Sequence, residues 1–153
     1  MTKSITAIPE LDNNTSFIMG LAYKQFRTLT NQRLAAEFDI TLEMLGVLRV
    51  LDHLGEIPQQ TLAETLHRER SVTKRLVDNC IKRELVEAHK SETNKKARYL
   101  ALTEKGVKTK EQASLCLKKV NNDYYTPLSA SEQQLLQTLC KKLIQDNILL
   151  GSD

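Results

Sequence analysis

Tryptophan is absent from this 153-residue chain, and aromatic side chains are few: three Phe and four Tyr. Turn formers are scarce too, at five Gly and three Pro. A β-sandwich needs many tight reversals, so this shortage disfavours one and favours helices. No apolar run approaches the ~20 residues that cross a bilayer. The opening MTKSITAIPELDNNTSF has no apolar h-region, so no secretory signal is expected there. Cys80, Cys116 and Cys140 form no C-x-x-C pair. An odd number of thiols without a signal predicts reduced, buried cysteines in a cytoplasmic protein. His53, His67 and His89 show neither i, i+4 pairing nor a neighbouring Cys ligand, so no metal is predicted. Nor is there a P-loop, a G-x-S-x-G or an H-E-x-x-H. No catalytic residue and no cofactor is therefore assigned, which disfavours a small helical enzyme.

What the chain does have is an uneven charge. The net value is +3. Residues 67–98 hold 10 Lys and Arg against 5 Asp and Glu, whereas residues 1–66 hold 5 against 8. Residues 99–153 are nearly balanced, at 7 against 6. A basic segment of this kind suits a nucleic-acid partner, although a solvated face has the same composition. The length predicts one domain with one moderate core.

Along the chain, residues 1–14 read as an irregular arm carrying Ile5, Ile8 and Leu11. Asn14, Thr15 or Ser16 caps a helix reaching about Glu37, with Phe17, Ile18, Leu21, Phe26, Leu29 and Leu34 near the 3.6 period. Thr41 caps a second helix, Leu42 to about Leu54, which Gly55 stops. A short third helix runs from Gln59 to Leu66, followed by the turn His67–Arg68–Glu69. A fourth runs from Arg70 to Arg83, with Val72, Leu76 and Cys80 expected inward and Arg70, Ser71, Thr73, Lys74 and Arg75 outward. Leu85–Lys90 and Ala97–Leu102 read as two strands around a polar tip, Ser91 to Lys96. Thr103 caps a fifth helix reaching about Tyr125. Ser129 and Glu132 form a capping box for a last helix, whose stripe is Leu135, Leu136, Leu139, Leu143, Ile144, Ile148 and Leu149. The fold class is thus mainly α with a small β-hairpin wing. Helix, turn, helix, hairpin is the order of a winged helix-turn-helix, in which one helix enters the major groove and the wing reaches a neighbouring minor groove.

The residues allow a further step. Ile40–Thr41–Leu42, Val47–Leu48, Leu51 and Leu62–Ala63 precede Val72–Thr73–Lys74–Arg75–Leu76–Val77–Asp78. Leu85–Val86–Glu87, Asn94–Lys95–Lys96–Ala97 and Leu102–Thr103–Glu104–Lys105–Gly106 follow. This run resembles the multiple-antibiotic-resistance regulator (MarR) family of bacterial transcription factors. The Leu-Thr-Glu-Lys-Gly ending after a basic wing is its most specific element. The resemblance implies a single domain over 1–153, with the winged helix-turn-helix at about 40–106 and dimerisation helices at about 1–38 and 104–150. It implies a homodimer that binds a pseudo-palindromic double-stranded DNA operator, with repression as the default and no membrane partner. A winged helix used only for protein–protein assembly is the rival reading.

On this resemblance the recognition-helix contacts are Arg70, Ser71, Thr73, Lys74 and Arg75. Arg75 leads, because Arg can meet guanine O6 and N7 with two hydrogen bonds. Wing contacts are Asn94, Lys95, Lys96 and Arg98, and Arg68 joins Arg70 on phosphates. A small phenolic or anionic ligand is implied in a cleft that Tyr23, Phe26, Arg27 and Met44 would line. Two features depart from the family pattern. Asn94 and Lys96 stand where Asp-x-Arg is usual, which removes a charge pair and the planar Arg fork. Glu84 stands where Gly is common after the recognition helix. Glu is strained at a left-handed position, so a different local turn is expected there.

Overall fold

The computed structural model describes residues 3–94 and 96–145. The elements follow chain order: α1 Pro9–Asp12, α2 Thr15–Phe38, α3 Leu42–Leu54, β1 Ile57–Pro58, α4 Gln59–Leu66, α5 Arg70–Lys82, β2 Val86–Lys90, β3 Arg98–Leu102, α6 Glu104–Tyr124 and α7 Ala130–Leu143. The helix starts follow from local chemistry. Asn14, Thr41, Thr103 and Ser129 each accept a backbone N–H of the first turn on the side chain. Ser129 and Glu132 complete the reciprocal capping box. Such caps satisfy donors that the helix itself leaves unpaired.

The arm is less irregular than its sequence suggests. Asp12 accepts the backbone N–H groups of Ile5 and Thr6 and the Ser4 hydroxyl, folding residues 4–12 around one helical turn. The Ser4 hydroxyl and the Thr6 amide hold the Asp12 carboxyl below its ordinary value. The hairpin is likewise more than a hairpin. β2 and β3 pair from Val86↔Leu102 to Lys90↔Arg98, and β1 adds a third antiparallel strand through Ile57↔Leu100 and Pro58↔Tyr99. Pro58 has no N–H to give, and an edge strand is where that loss is tolerated.

One core joins these parts. Leu34 near the end of α2, Ile40 just after it, Leu45, Val47 and Leu48 of α3, Leu62 of α4, Val77 of α5, Leu85 just before β2, and Val86 and Leu100 of the sheet are all fully buried or nearly so. Ala113, Cys116, Leu117 and Val120 bring α6 onto it. At the end of α5 the expected change of turn does not occur. Glu84 itself takes the left-handed conformation, at φ +61°. The chain turns as it would with Gly, through Leu85 N–H to Cys80 O at 2.9 Å and Glu84 N–H to Ile81 O at 2.9 Å. The strain is accepted because this turn delivers Leu85 to the core and sets the root of β2. Arg83 secures the same corner. Its Nε donates to the Asp39 carbonyl at 2.6 Å and its Nη1 to the Asn79 carbonyl at 3.1 Å, pinning the end of α5 to the end of α2.

α7 is different. Leu135, Leu136, Leu139, Leu143 and Ile144 all stand exposed on it, and none of its residues is buried. Ile148 and Leu149, the last two of the predicted stripe, lie outside the described residues. No helix among the described residues is long and apolar enough to cross a membrane.

Candidate nucleic-acid interface

α4, the His67 turn and α5 form the helix-turn-helix, and His67 closes α4 in a left-handed cap. What α5 turns inward decides what it can present outward. Thr73, Leu76, Val77 and Cys80 are its buried residues, a stripe at i, i+3, i+4 and i+7. Thr73 is fully buried, so the expectation that it contacts DNA is corrected. The inward stripe is rotated by about one residue from Val72, which is only half-buried. The Thr73 Oγ1 has no hydrogen-bond partner. Removing an unsatisfied buried hydroxyl while keeping the shape is neutral or stabilising. Thr73→Val is therefore expected to raise stability by up to about 1 kcal/mol, read as a rise in melting temperature, and to leave any DNA affinity unchanged.

Arg70, Ser71, Lys74 and Arg75 are exposed, as expected. Ser71 and Arg75 have no hydrogen bond or ion pair to other described residues through their side chains. Lys74 differs: its Nζ donates to Asp78 Oδ2 at 2.7 Å. Arg98 is engaged too, with Nη1 donating to Gln59 Oε1 at 3.0 Å and to Asp78 Oδ1 at 3.2 Å. The Lys74 hydrogen bond, then that of Arg98, holds the Asp78 carboxyl below its ordinary value.

On the wing, Asn94 Oδ1 accepts the Lys96 backbone N–H at 3.1 Å, and the Ala97 N–H returns to the Asn94 carbonyl at 3.0 Å. Asn94 thus shapes the tip as an Asx turn, a task that needs an oxygen and no charge. Both Asn94 and Lys96 are exposed, and Lys95 lies outside the described residues. Below the wing, the Glu56 carboxylate meets the His89 imidazole, tying β2 to the turn before β1. Between wing and helices lies a cleft of 390 Å³, with Pro58, Gln59 and Gln60 on one side, Arg70 on another, and Asn94, Lys96 and Arg98 facing them. Of the nominated residues, Arg70 and Thr73 of α5 and Asn94, Lys96 and Arg98 of the wing line this cleft, whereas Ser71, Lys74 and Arg75 do not. Gln59 and Asp78 were not nominated from sequence, although the Lys74–Asp78 spacing of i, i+4 is a readable signal for the latter.

The nominated ligand cleft does not assemble. Phe26 and Met44 are core residues, at 8% and 2% exposure. The periodicity that places them on facing helices also buries them. Arg27 is paired through Nε with Glu43. Burial pushes the Glu43 carboxyl up, but Arg27 and then Arg68 bring it below its ordinary value. Of the four, Tyr23 lines two cavities among the described residues. One of 240 Å³ lies between α2, α3 and the α4–α5 corner, where Arg49 and Arg68 also stand. The other, of 750 Å³, lies between α2, the end of α6 and α7, beside Tyr124, Tyr125, Leu136 and Cys140. Burial pushes the Cys80 thiol up to about 12 and also raises that of Cys116. Cys140, expected to be buried, is half-buried on α7. Among the described residues no group of three or more His, Cys, Asp or Glu could hold a metal ion.

No protein-family model matches the chain, and no curated protein matches it in sequence. Solved structures do match its fold. The PcaV transcriptional regulator of Streptomyces coelicolor, in complex with its natural ligand, is 19% identical over 91% of this chain and 96% of its own, with a TM-score of 0.80. A mutant MarR from E. coli complexed with operator DNA is 21% identical over 85% of this chain and 93% of its own, at 0.78. A MepR–DNA complex from S. aureus is 20% identical over 85% and 96%, at 0.76. The chain shares their fold: a mainly helical winged helix-turn-helix with a small β-hairpin wing and helices at both termini.

Proposed function

We propose that the chain is a sequence-specific, double-stranded DNA-binding transcriptional regulator. It acts as a homodimer that represses by covering a pseudo-palindromic operator. The observation that carries this reading is the face of α5. Arg75 stands exposed and unpaired among the described residues, while the opposite face is locked into the core by Thr73, Leu76, Val77 and Cys80. Arg70, Ser71 and Arg75 would meet the major groove, and Asn94 and Lys96 would follow into the minor groove. In such an interface phosphate contacts give affinity and base contacts give sequence choice. Residues 40–106 form the DNA-binding part of a single domain. The terminal helices, with the uncovered stripe of α7, supply the dimer. A two-fold dimer sets its recognition helices about 34 Å apart, one DNA turn.

The 240 Å³ cavity is the place this reading gives to a small phenolic or anionic ligand, between Tyr23 on one side and Arg49 and Arg68 on the other. It touches α2, α3 and the α4–α5 corner together. A ligand there would favour dimers with the wrong spacing between recognition helices, a shift of population.

Selection of duplexes from a random-sequence library, followed by titration of Arg75→Ala, tests the assignment. Arg75→Ala is expected to cost about 1–3 kcal/mol per half-site and to relax the preference at one base position in each. An unchanged affinity for the selected duplex would remove α5 as the reading helix. If the parent chain bound selected and random DNA alike, with little salt dependence, the protein–protein assembly reading would replace this one.

A further inference from the structure

The nominated basic residues of α5 and the wing are not equivalent. Arg75 and Lys96 leave their charged ends without hydrogen bonds to described residues. Lys74 and Arg98 are both taken up by Asp78, one on each carboxylate oxygen. These two cations come from different elements, Lys74 from the helix itself and Arg98 from the first residue of β3. Arg98 also reaches Gln59, the first residue of α4. One carboxylate therefore links the recognition helix to the wing and, through Arg98, to the other helix of the motif.

Stability does not explain this arrangement. The side chains of Lys74, Asp78 and Arg98 are 64%, 44% and 35% exposed, and exposed ion pairs contribute only about 0–1 kcal/mol. Its effect falls instead on the charge offered to DNA. Each phosphate neutralised by a cation releases counterions and strengthens binding to any sequence alike. Two cations held by a carboxylate contribute less of that indiscriminate attraction. The carboxylate also repels phosphates that approach off register.

On the DNA-binding reading above, we infer that Asp78 is a specificity-determining residue. It withholds Lys74 and Arg98 from DNA phosphates and fixes the wing against α5, leaving contact to Arg75 and Lys96. Asp78→Asn keeps the size and one acceptor but removes the charge, and Asp78→Glu restores it.

The test is fluorescence anisotropy on a duplex selected from a random library and on a shuffled version of it, each across a salt series. The parent chain, Asp78→Asn and Asp78→Glu are compared. Asp78→Asn is expected to bind the shuffled duplex roughly tenfold more tightly, with a salt slope steeper by about 0.9 for each cation released. Its ratio of selected to shuffled affinity should fall by a similar factor, and Asp78→Glu should recover most of the parent's ratio. Equal losses on both duplexes with an unchanged or shallower slope would make Asp78 a structural brace and overturn the inference. A parent chain that binds neither duplex overturns the DNA-binding reading itself, and the inference with it.

Discussion

Gly106→Ala is expected to destabilise the fold by about 3 kcal/mol, the upper end of overpacking costs. A Cβ at this position would lie 2.1 Å from the Leu85 carbonyl oxygen and 3.1 Å from its carbon. Backbone, unlike a flexible side chain, cannot rotate aside. Leu85 is also held from both sides: its N–H donates to Cys80 O at 2.9 Å, and its carbonyl accepts the Thr103 N–H at 3.1 Å. Moving it would loosen the end of α5 and the start of α6 together. In urea followed by circular dichroism, the midpoint should fall by at least about 1 M. A midpoint equal to the parent's would mean that α6 does not approach Leu85 this closely. The Leu-Thr-Glu-Lys-Gly ending, noticed first as a pattern, thus has a steric cause. Thr103 caps α6 through the Gly106 N–H at 3.0 Å, and Gly106 lets the capped helix lie against the root of the wing.

If the chain forms the proposed dimer, Leu139→Glu should convert it to monomer at micromolar concentration. Leu139 sits mid-stripe on α7 at 47% exposure, with Leu135 at 56% and Leu143 at 64% one turn to either side. Burying a Leu contributes about 1.5–3 kcal/mol. In a two-fold interface the substitution occurs twice, which places two carboxylates where apolar surface should close. A loss of about 3 kcal/mol or more is expected, above 100-fold in Kd. Sedimentation velocity over a concentration series measures it. On the proposed DNA-binding reading, affinity for a selected duplex should fall with it, because the two half-sites would then be bound independently. If Leu139→Glu still sediments as the parent does, α7 is not the dimer seam.

Much of this molecule was legible because much of its order is local. Caps at Asn14, Thr41, Thr103 and Ser129 depend on side chains within three residues of the groups they satisfy. The bounds of the helices at 42–54 and 59–66 followed from Thr41, Gly55 and the apolar spacing. Thr73 is inward despite its polar side chain because helix phase, not chemistry, sets which face a residue occupies. Extending Leu76, Val77 and Cys80 back one turn lands on Thr73. β1 was invisible for another reason: two residues, one of them Pro, carry no alternation, and only pairing with Leu100 and Tyr99 makes them a strand. Phe26 and Met44 were placed on the correct helices, but whether a cleft or a core lies between two helices is a property of their packing. The Arg98 links to Asp78 and Gln59 join elements 20 and 39 residues apart, and no periodicity reports them.

The Arg83–Asp39 contact has a mechanical consequence. Asp39 ends α2, whose 24 residues span about 36 Å at 1.5 Å per residue. Its early residues, Met19 and Tyr23, lie beside α7 and the 750 Å³ cavity, while its last turn is fastened to the end of α5. In the proposed dimer, α2 would carry a change in the terminal region to the end of α5. A tilt of about 5° over that length carries the far end through about 3 Å, close to the rise of one base pair. In the proposed dimer, how the two chains seat against each other would gauge the reach between half-sites, with Arg83 as the coupling pin.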